Sequence, residues 1–150
     1  MIASRIKVLL SCHGGEQRKV AIASIIAMKP EILILDEPTV SLDPLSKKDI
    51  LDRVKEYQKT TGSTVIIVSH DVNIIAEYTD KVLILDNGKI AKYDTVEYVF
   101  SETDELEYLG LELPDIAKIF HKLKAKGIPV RTDIYTAQEA KRELVKMLKR

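Results

Sequence analysis

The hydrophobic pattern of the chain alternates between short apolar runs and longer stretches with helical spacing. Two runs, at 32–35 and 64–68, contain no polar alternation, which is typical of strands buried on both faces of a parallel sheet. The longer stretches repeat apolar residues three and four positions apart, which predicts helices. These helices are expected at 15–28, 43–62, 71–78, 114–126 and 136–149. The strand–helix–strand order predicts an α/β fold with right-handed crossovers.

Turn and capping residues predict where several of these elements begin and end. Asp43 followed by Pro44 is a favourable helix start, and Gly62 is a suitable C-terminal stop. The dipeptide at 87–88 is Asn-Gly, which tolerates the positive φ angles of a tight hairpin turn. It predicts that a strand at 81–85 returns along 89–93, so that the sheet ends in an antiparallel edge.

The composition changes at an acidic, polar stretch that covers residues 101–105, where we expect a linker. We therefore predict two domains, an α/β part over residues 1–100 and a helical C-terminal extension over residues 101–150. Thr136 and Glu139 have the spacing of a capping box, which predicts the start of the last helix.

The overall composition narrows the class of protein. The 150 residues contain 23 Lys plus Arg and 23 Asp plus Glu, so the net charge is zero and gives no support for a nucleic-acid partner. A hydrophobic content of 45% is that of an ordinary globular protein. The apolar runs are far shorter than the roughly 20 residues that span a bilayer. With one cysteine, Cys12, the chain forms no internal disulfide.

The strongest chemical signal is an acidic pair that follows the first apolar run. Asp36 and Glu37 come at the C-terminal end of a predicted strand, where open α/β sheets bind ligands. One carboxylate can hold Mg²⁺ beside nucleotide phosphates, and the next can orient or deprotonate an attacking water. A solvent-facing acidic turn has the same sequence, so the pair alone does not decide between the two readings.

Two weaker signals flank this acidic pair in the sequence. His70 follows the second apolar run and could contact a γ-phosphate, although a surface or capping histidine would look the same. Gly14 and Gly15 precede a predicted helix, where glycines allow close approach of a phosphate to unpaired N–H groups. Ordinary loops also carry such glycines.

The segments together resemble the motifs of ABC ATPases, in the order and at the spacing of that family. Residues 14–23 resemble the signature motif with its helix, and residues 33–39 resemble the Walker B strand. Residues 41–44 resemble the D-loop, and residues 68–71 resemble the switch-histidine segment. The resemblance implies a partial P-loop NTPase sheet with flanking helices.

The resemblance also implies a role for each matched residue, with ATP and Mg²⁺ as cofactors. Asp36 would serve Mg²⁺, Glu37 would be the catalytic base, and His70 would sense the γ-phosphate. The remaining residues would contact ATP held by the opposing subunit or communicate across the dimer: Ser11, Gly14, Gly15, Glu16 and Asp43.

The C-terminal region narrows the resemblance further. The stretches 113–123, 126–128 and 136–140 look like the C-terminal extension of energy-coupling-factor subunits, although a generic helical appendage remains an alternative. Those subunits drive uptake of cobalt, nickel or vitamins. The resemblance implies a second ATPase subunit and a transmembrane coupling protein as partners. It also implies a peripheral location on the cytoplasmic face of the cell membrane.

The sequence departs from the ABC pattern in two places. It contains no Gly-x-x-x-x-Gly-Lys-Ser/Thr loop, so it lacks the backbone cradle and the lysine that hold the β- and γ-phosphates. In addition, Cys12 and His13 separate Ser11 from Gly14. Either two residues are inserted, or His13 replaces the signature serine. An insertion would carry the Ser11 hydroxyl out of hydrogen-bond reach, because each residue adds up to about 3.5 Å of chain.

These departures have a consequence for folding. They match an N-terminally truncated family member, in which the strand of the phosphate-binding loop is missing. We expect its absence to expose an apolar strand edge or face, which favours self-association or poor solubility.

Three functions are compatible with the sequence. The first is an ATP-binding subunit of an energy-coupling-factor importer. The second is a non-catalytic partner that donates Gly14, Gly15 and Asp43 to the ATP of a complete subunit. The third is a soluble ABC ATPase fragment used in translation or DNA repair, which the C-terminal extension and the lack of basic excess disfavour.

Overall fold

A computed structural model of the protein describes residues 14–149, and the chain divides into two compact units between Ser69 and His70. Within the described residues there are seven helices and four strands. Ser11, Cys12 and His13 lie outside this range, so the proposed contact of Ser11 with nucleotide stays a prediction.

The first unit is built from two helix–strand repeats. Its elements are α1 (Gly14–Ile26), β1 (Ile32–Asp36), α2 (Pro44–Thr61) and β2 (Thr64–Val68). The two strands pair in parallel, with Ile32 opposite Thr64 and Asp36 opposite Val68. This pairing confirms the predicted strand–helix–strand unit, and it brings the C-terminal ends of both strands to one edge.

The ends of α2 are set by the residues that the sequence indicated. The Asp43 carboxylate accepts hydrogen bonds from the N–H groups of Leu45 and Ser46, each at 3.0 Å. Gly62 ends the helix with φ at 70°, a left-handed conformation that glycine adopts without a Cβ clash. Both predicted caps are therefore confirmed.

The core of the first unit lies on one face of the β1–β2 pair. Leu33 and Leu35 are 2% and 6% exposed, and they pack among buried residues of α1 and α2. The buried stripe of α2 is the one that its spacing predicts: Ile50, Leu51, Val54 and Tyr57.

The opposite face of this strand pair is exposed, so the prediction of burial on both faces is wrong. Ile32 and Ile34 are each 62% exposed, while Ile66 is 45% and Val68 is 50% exposed. The apolar runs of β1 and β2 therefore encode two apolar faces, of which the described residues cover one. The expected exposure of an apolar strand face is confirmed.

The second unit begins with a short helix and a hairpin and continues as helices. Asn87 and Gly88 both have positive φ, at 49° and 74°, and they join two antiparallel strands as predicted. The elements of the second unit are α3 (Val72–Tyr78), β3 (Lys81–Asp86), β4 (Lys89–Thr95), α4 (Val96–Ser101), α5 (Thr103–Tyr108), α6 (Asp115–Ala125) and α7 (Ala137–Leu148).

Two details of the second unit differ from the sequence predictions. The four described strands form two sheets, β1–β2 and β3–β4, rather than one sheet with an antiparallel edge. The hairpin pairs through its own tight turn and needs no further strand. The acidic stretch expected to be a linker is largely helical, because Leu106 of α5 is 2% exposed and anchors that helix in the core.

The helix α3 shares one hydrophobic core with the C-terminal helices. Ala76 of α3 clusters with Val99 and Ala117, both of which are fully buried. At the surface, the side-chain NH₂ of Asn73 donates to the Asp115 carboxylate at 3.1 Å, and the backbone N–H of Asp115 donates to the side-chain Oδ1 of Asn73 at 2.8 Å. These paired bonds fix the start of α6 to α3.

Between residues 14 and 149, no helix is both long enough and apolar enough to cross a bilayer.

Candidate functional site

The carboxylate turn, residues 36–42, connects β1 to the start of α2. Asp36 is the last residue of β1 and is exposed, whereas Glu37 is half-buried. The Glu37 N–H donates to the Val68 carbonyl oxygen at 2.9 Å. This bond extends the β1–β2 ladder by one residue, so the acidic pair lies at the C-terminal edge of the two strands.

The backbone of this turn includes two residues in the left-handed region. Glu37 has φ at 44° and Ser41 has φ at 63°. Non-glycine residues in this region cost on the order of 1–3 kcal/mol each, so surrounding contacts must hold them there. Within the turn, the Val40 N–H donates to the Glu37 carbonyl at 3.4 Å, and Thr39 is 3% exposed.

Arg18, on α1, supplies three further hydrogen bonds to the turn. One terminal nitrogen of its guanidinium donates to the Glu37 carbonyl and also lies 3.5 Å from the Asp36 carbonyl. The other terminal nitrogen lies 3.4 Å from the Val40 carbonyl. One side chain therefore bridges α1 to carbonyls on both sides of the buried Thr39.

The exposed position of Asp36 fits a magnesium ion that would take only some of its ligands from the protein. Mg²⁺ is commonly bound by one or two carboxylates together with substrate phosphates and water. Across residues 14–149 no group of three or more His, Cys, Asp or Glu side chains is arranged to hold a metal. The exposed carboxylate of Asp36 is a ligand of the type that Mg²⁺ takes from a protein, and phosphate and water would supply the other ligands.

The glycine-led end of α1 approaches the far end of the carboxylate turn. A Cβ placed on Gly15 would lie 3.1 Å from the Leu42 Cδ2 atom, which is tighter than most real contacts. Glycine at this position therefore permits the close approach. Glu16 is exposed in the first turn of this 13-residue helix, whose N–H groups favour a bound anion.

Asp43 caps α2 at the end of the same connection. Hydrogen bonds from the side chain and the backbone N–H of Ser46 hold the pKa of Asp43 below its ordinary value. The carboxylate is therefore ionised at neutral pH and engaged with its own helix. The proposed communication of Asp43 across a dimer stays a prediction.

His70 begins the second unit, two residues after the end of β2. Its side chain is exposed, and the following residue, Asp71, caps α3 by accepting from the Asn73 N–H at 3.1 Å. Because His70 and the carboxylate turn belong to different units, their convergence on one phosphate stays a prediction. Asp36, Glu37, Gly14, Gly15, Glu16 and Asp43 all belong to the first unit.

Sequence reasoning missed Arg18 as a residue of this site. The available signal is its helical position, four residues before the buried Ile22 and therefore on the apolar face of α1. A charged side chain on such a face usually has polar partners, and here the partners are backbone carbonyls.

Comparison with solved structures identifies the fold class. The structure described as cbiO1 from Clostridium perfringens, part of the ABC transporter complex cbiONQ, has a TM-score of 0.58 and is 34% identical, covering 75% of this chain and 45% of that chain. The post-hydrolysis dimer of the ATP-binding cassette MJ0796, bound to ADP and Pi, has a TM-score of 0.53 and is 30% identical, covering 57% of this chain and 36% of that one. The fold is that of an ABC ATPase domain.

Sequence comparison narrows the class. The "AAA domain, putative AbiEii toxin, Type IV TA system" family matches residues 15–76. The energy-coupling factor transporter ATP-binding protein EcfA2 of Caldanaerobacter subterraneus is 42% identical over 91% of this chain and 48% of its own length. EcfA1 of the same organism is 39% identical over 84% of this chain and 45% of its own length. The chain is therefore similar to energy-coupling-factor ATP-binding subunits over most of its own length, and it spans about half the length of these relatives.

Proposed function

We propose that the chain is all or part of an ATP-binding subunit of an energy-coupling-factor importer, which couples ATP hydrolysis to uptake of a metal ion or vitamin. The observation that carries this proposal is the carboxylate turn, which holds Asp36 and Glu37 at the C-terminal edge of two parallel strands. Similarity to EcfA2 over 91% of the chain supports the same assignment.

In this proposal each candidate residue has a separate role in binding or hydrolysing ATP. Asp36 provides one ligand of Mg²⁺, and the ion neutralises charge on the nucleotide phosphates. Glu37 is half-buried and serves as the base that orients or deprotonates water. His70 contacts the γ-phosphate, while Gly14 and Gly15 present the N-terminus of α1 to a nucleotide held by the opposing subunit.

A second candidate is a non-catalytic partner that completes the ATP site of another subunit. The observation that favours it is the sequence itself, which contains no Gly-x-x-x-x-Gly-Lys-Ser/Thr loop. In this role Gly14, Gly15 and Asp43 contact a nucleotide whose phosphates are bound by the phosphate-binding loop of the other subunit.

The partners in either case are a second ATPase subunit and a transmembrane coupling protein. The names of the relatives support this assignment, since they are transporter ATP-binding proteins. The site of action is then the cytoplasmic face of the membrane, where the chain is held peripherally through its partner. A formal net charge of zero does not support a nucleic-acid partner.

Two measurements distinguish the candidates. The first is binding of Mg-ATP by the purified chain, measured by calorimetry. The second is ATP hydrolysis when the chain is mixed with a full-length relative, compared with the relative alone. Binding by the chain itself supports the catalytic subunit, whereas stimulation in the mixture without such binding supports the partner role. If neither binding nor stimulation is seen, both candidates are wrong.

A matched pair of variants tests the role of the carboxylate. Glu37→Gln keeps the size of the side chain and removes its charge. If Glu37 is the base, this variant lowers the rate of ATP hydrolysis at the site that contains Glu37 at least about 100-fold. Glu31→Gln removes an exposed acid just before β1 and is expected to leave hydrolysis unchanged. Equal rates for the two variants would show that Glu37 is not the base.

A further inference from the structure

We infer that Arg18 is a positioning residue, which locks the carboxylate turn onto α1 and thereby sets the direction of the Glu37 side chain. The inference rests on the proposed function, because Glu37 matters as a base only if the site acts on ATP. The locking itself is a structural property and can be tested independently of ATP.

The Arg18 side chain reaches three backbone carbonyls of the carboxylate turn. The guanidinium of Arg18 donates to the Glu37 carbonyl and lies 3.5 Å from the Asp36 carbonyl and 3.4 Å from the Val40 carbonyl. Arginine presents several donors in one rigid plane, so it can bridge separate acceptors. The ammonium of a lysine is a single point and cannot reach the same spread of carbonyls with its bonds aligned.

The bonds from Arg18 surround a backbone conformation that is rare for a residue with a side chain. Glu37 has φ at 44°, in a region that residues with a Cβ rarely adopt. Rotation of φ back to the right-handed region would swing the carbonyl of Glu37 away from Arg18. It would also turn the Cα–Cβ bond, so the carboxylate would point elsewhere. The bonds from Arg18 therefore oppose the relaxation that would misdirect the base.

The helix that carries Arg18, α1, also approaches the far end of the carboxylate turn. The same helix begins with Gly14 and Gly15, and Gly15 packs closely against Leu42 at the far end of the turn. Arg18 is one helical turn further along α1. Two contacts of one helix thus hold both ends of the carboxylate turn, so the glycine-led helix end and the acidic pair move as one body.

The structural test measures hydrogen–deuterium exchange of the whole chain by mass spectrometry, which also works if the chain self-associates. Arg18→Ala is expected to raise the exchange rate of the peptide that covers 36–42 at least tenfold. Peptides from the middle of α2 should change less than twofold. Arg18→Lys should give an intermediate increase, because a lysine can keep one of the bonds.

The matched control is Arg53→Ala. Arg53 is an arginine of the same unit, and it donates to Asp49 on its own helix at 2.9 Å. This variant should leave exchange at 36–42 unchanged. The inference is overturned if Arg18→Ala and Arg53→Ala have the same effect there. It is also overturned if Arg18→Lys, or a folded Arg18→Ala, raises exchange uniformly over the first unit.

The kinetic test uses the mixture with a full-length relative. Arg18→Ala in the chain should lower kcat for ATP hydrolysis at least tenfold and leave KM for ATP within twofold, because Arg18 contacts backbone carbonyls of the turn and not the Asp36 carboxylate proposed to bind Mg²⁺. Arg53→Ala should change neither value. If the wild-type chain gives no hydrolysis or stimulation, the proposed function fails while the exchange result still decides the role of Arg18. If wild type is active and Arg18→Ala matches it in kcat, the inference fails alone.

Discussion

The parallel strand pair and the C-terminal helices bury their apolar residues to different extents. In β1, Leu33 is 2% exposed while its neighbour Ile34 is 62% exposed, so one face is packed and the other is open. In the helical region, Phe120 is 2% exposed and Ala117 is fully buried, and both belong to closed clusters. The strand pair that carries the candidate chemistry therefore has one buried and one exposed apolar face, while the C-terminal helices bury a core and also expose Ile119 and Leu148.

This difference shows that sequence motifs and a closed core are separate properties of a region. The carboxylate turn keeps its local hydrogen bonds although one face of its strands is exposed. The helical region has a capping box at Thr136 and buried apolar clusters, but it carries none of the four ABC motifs. An apolar face that the rest of the chain does not cover favours contact with another apolar surface.

The largest expected effect compares the two faces of β1 directly. Leu33→Ala should lower the free energy of unfolding by about 2–5 kcal/mol, because it leaves a cavity among packed side chains. Ile34→Ala should lower it by less than about 1 kcal/mol, since the side chain is already exposed. Urea denaturation of the two variants measures both values. Equal costs would mean that Ile34 is covered in solution.

A second comparison concerns self-association. Combining Ile34→Lys with Ile66→Lys places charge on the open face and should raise the dissociation constant of self-association at least about tenfold, or about 1.4 kcal/mol. Sedimentation velocity measures this constant. The control combines Met28→Lys with Leu148→Lys, which alters two exposed apolar residues outside the strand pair. If the control has the same effect, association does not depend on the open face.

A smaller effect is expected at the start of α7, in the closed region. The Thr136 hydroxyl accepts from the Glu139 N–H at 3.2 Å, and the Glu139 carboxylate accepts from the Thr136 N–H at 3.0 Å. Thr136→Ala should lower the free energy of unfolding by about 1 kcal/mol, while Thr136→Ser should retain most of it. Thermal or urea unfolding of the pair measures the cap. No difference between them would show that the hydroxyl is dispensable.

The smallest effect is a pH dependence at the start of α2. Bonds from Ser46 lower the pKa of Asp43 in the folded chain below its ordinary value of 3.8, so ionised Asp43 stabilises the fold above that value. The stabilisation is lost as pH falls through the lowered folded pKa. Asp43→Asn keeps a capping side chain but cannot ionise, so the stability difference from wild type should shrink below about pH 4. A difference that stays constant in acid would contradict this assignment.

Much of the fold follows from local sequence because the relevant residues act locally. Asp43 and Gly62 define the ends of α2 through bonds within a few residues. Asn87 and Gly88 tolerate positive φ by their own chemistry, so these two residues are sufficient to predict the hairpin turn. Elements of this kind need no knowledge of distant partners.

The features that escaped prediction depend on distant partners. Glu37 has positive φ although glutamate gives no local preference for it, and the contacts that hold it come from Arg18 and Val68. The face that carries Ile32 and Ile34 is exposed because no other element among the described residues packs against it. Apolar residues at these positions predict a strand, but they do not say whether a partner covers it.

The paired bonds between Asn73 and Asp115 limit how the protein can be shortened. The two residues are 42 positions apart, and Asn73 lies only three residues after His70. A chain that ended before α6 would lose both bonds and would remove Ala117 and Tyr135 from the hydrophobic core that contains Ala76 of α3. Trimming the C-terminal helices would therefore loosen the support of the helix that follows the histidine, far from the cut in sequence but adjacent to it in space.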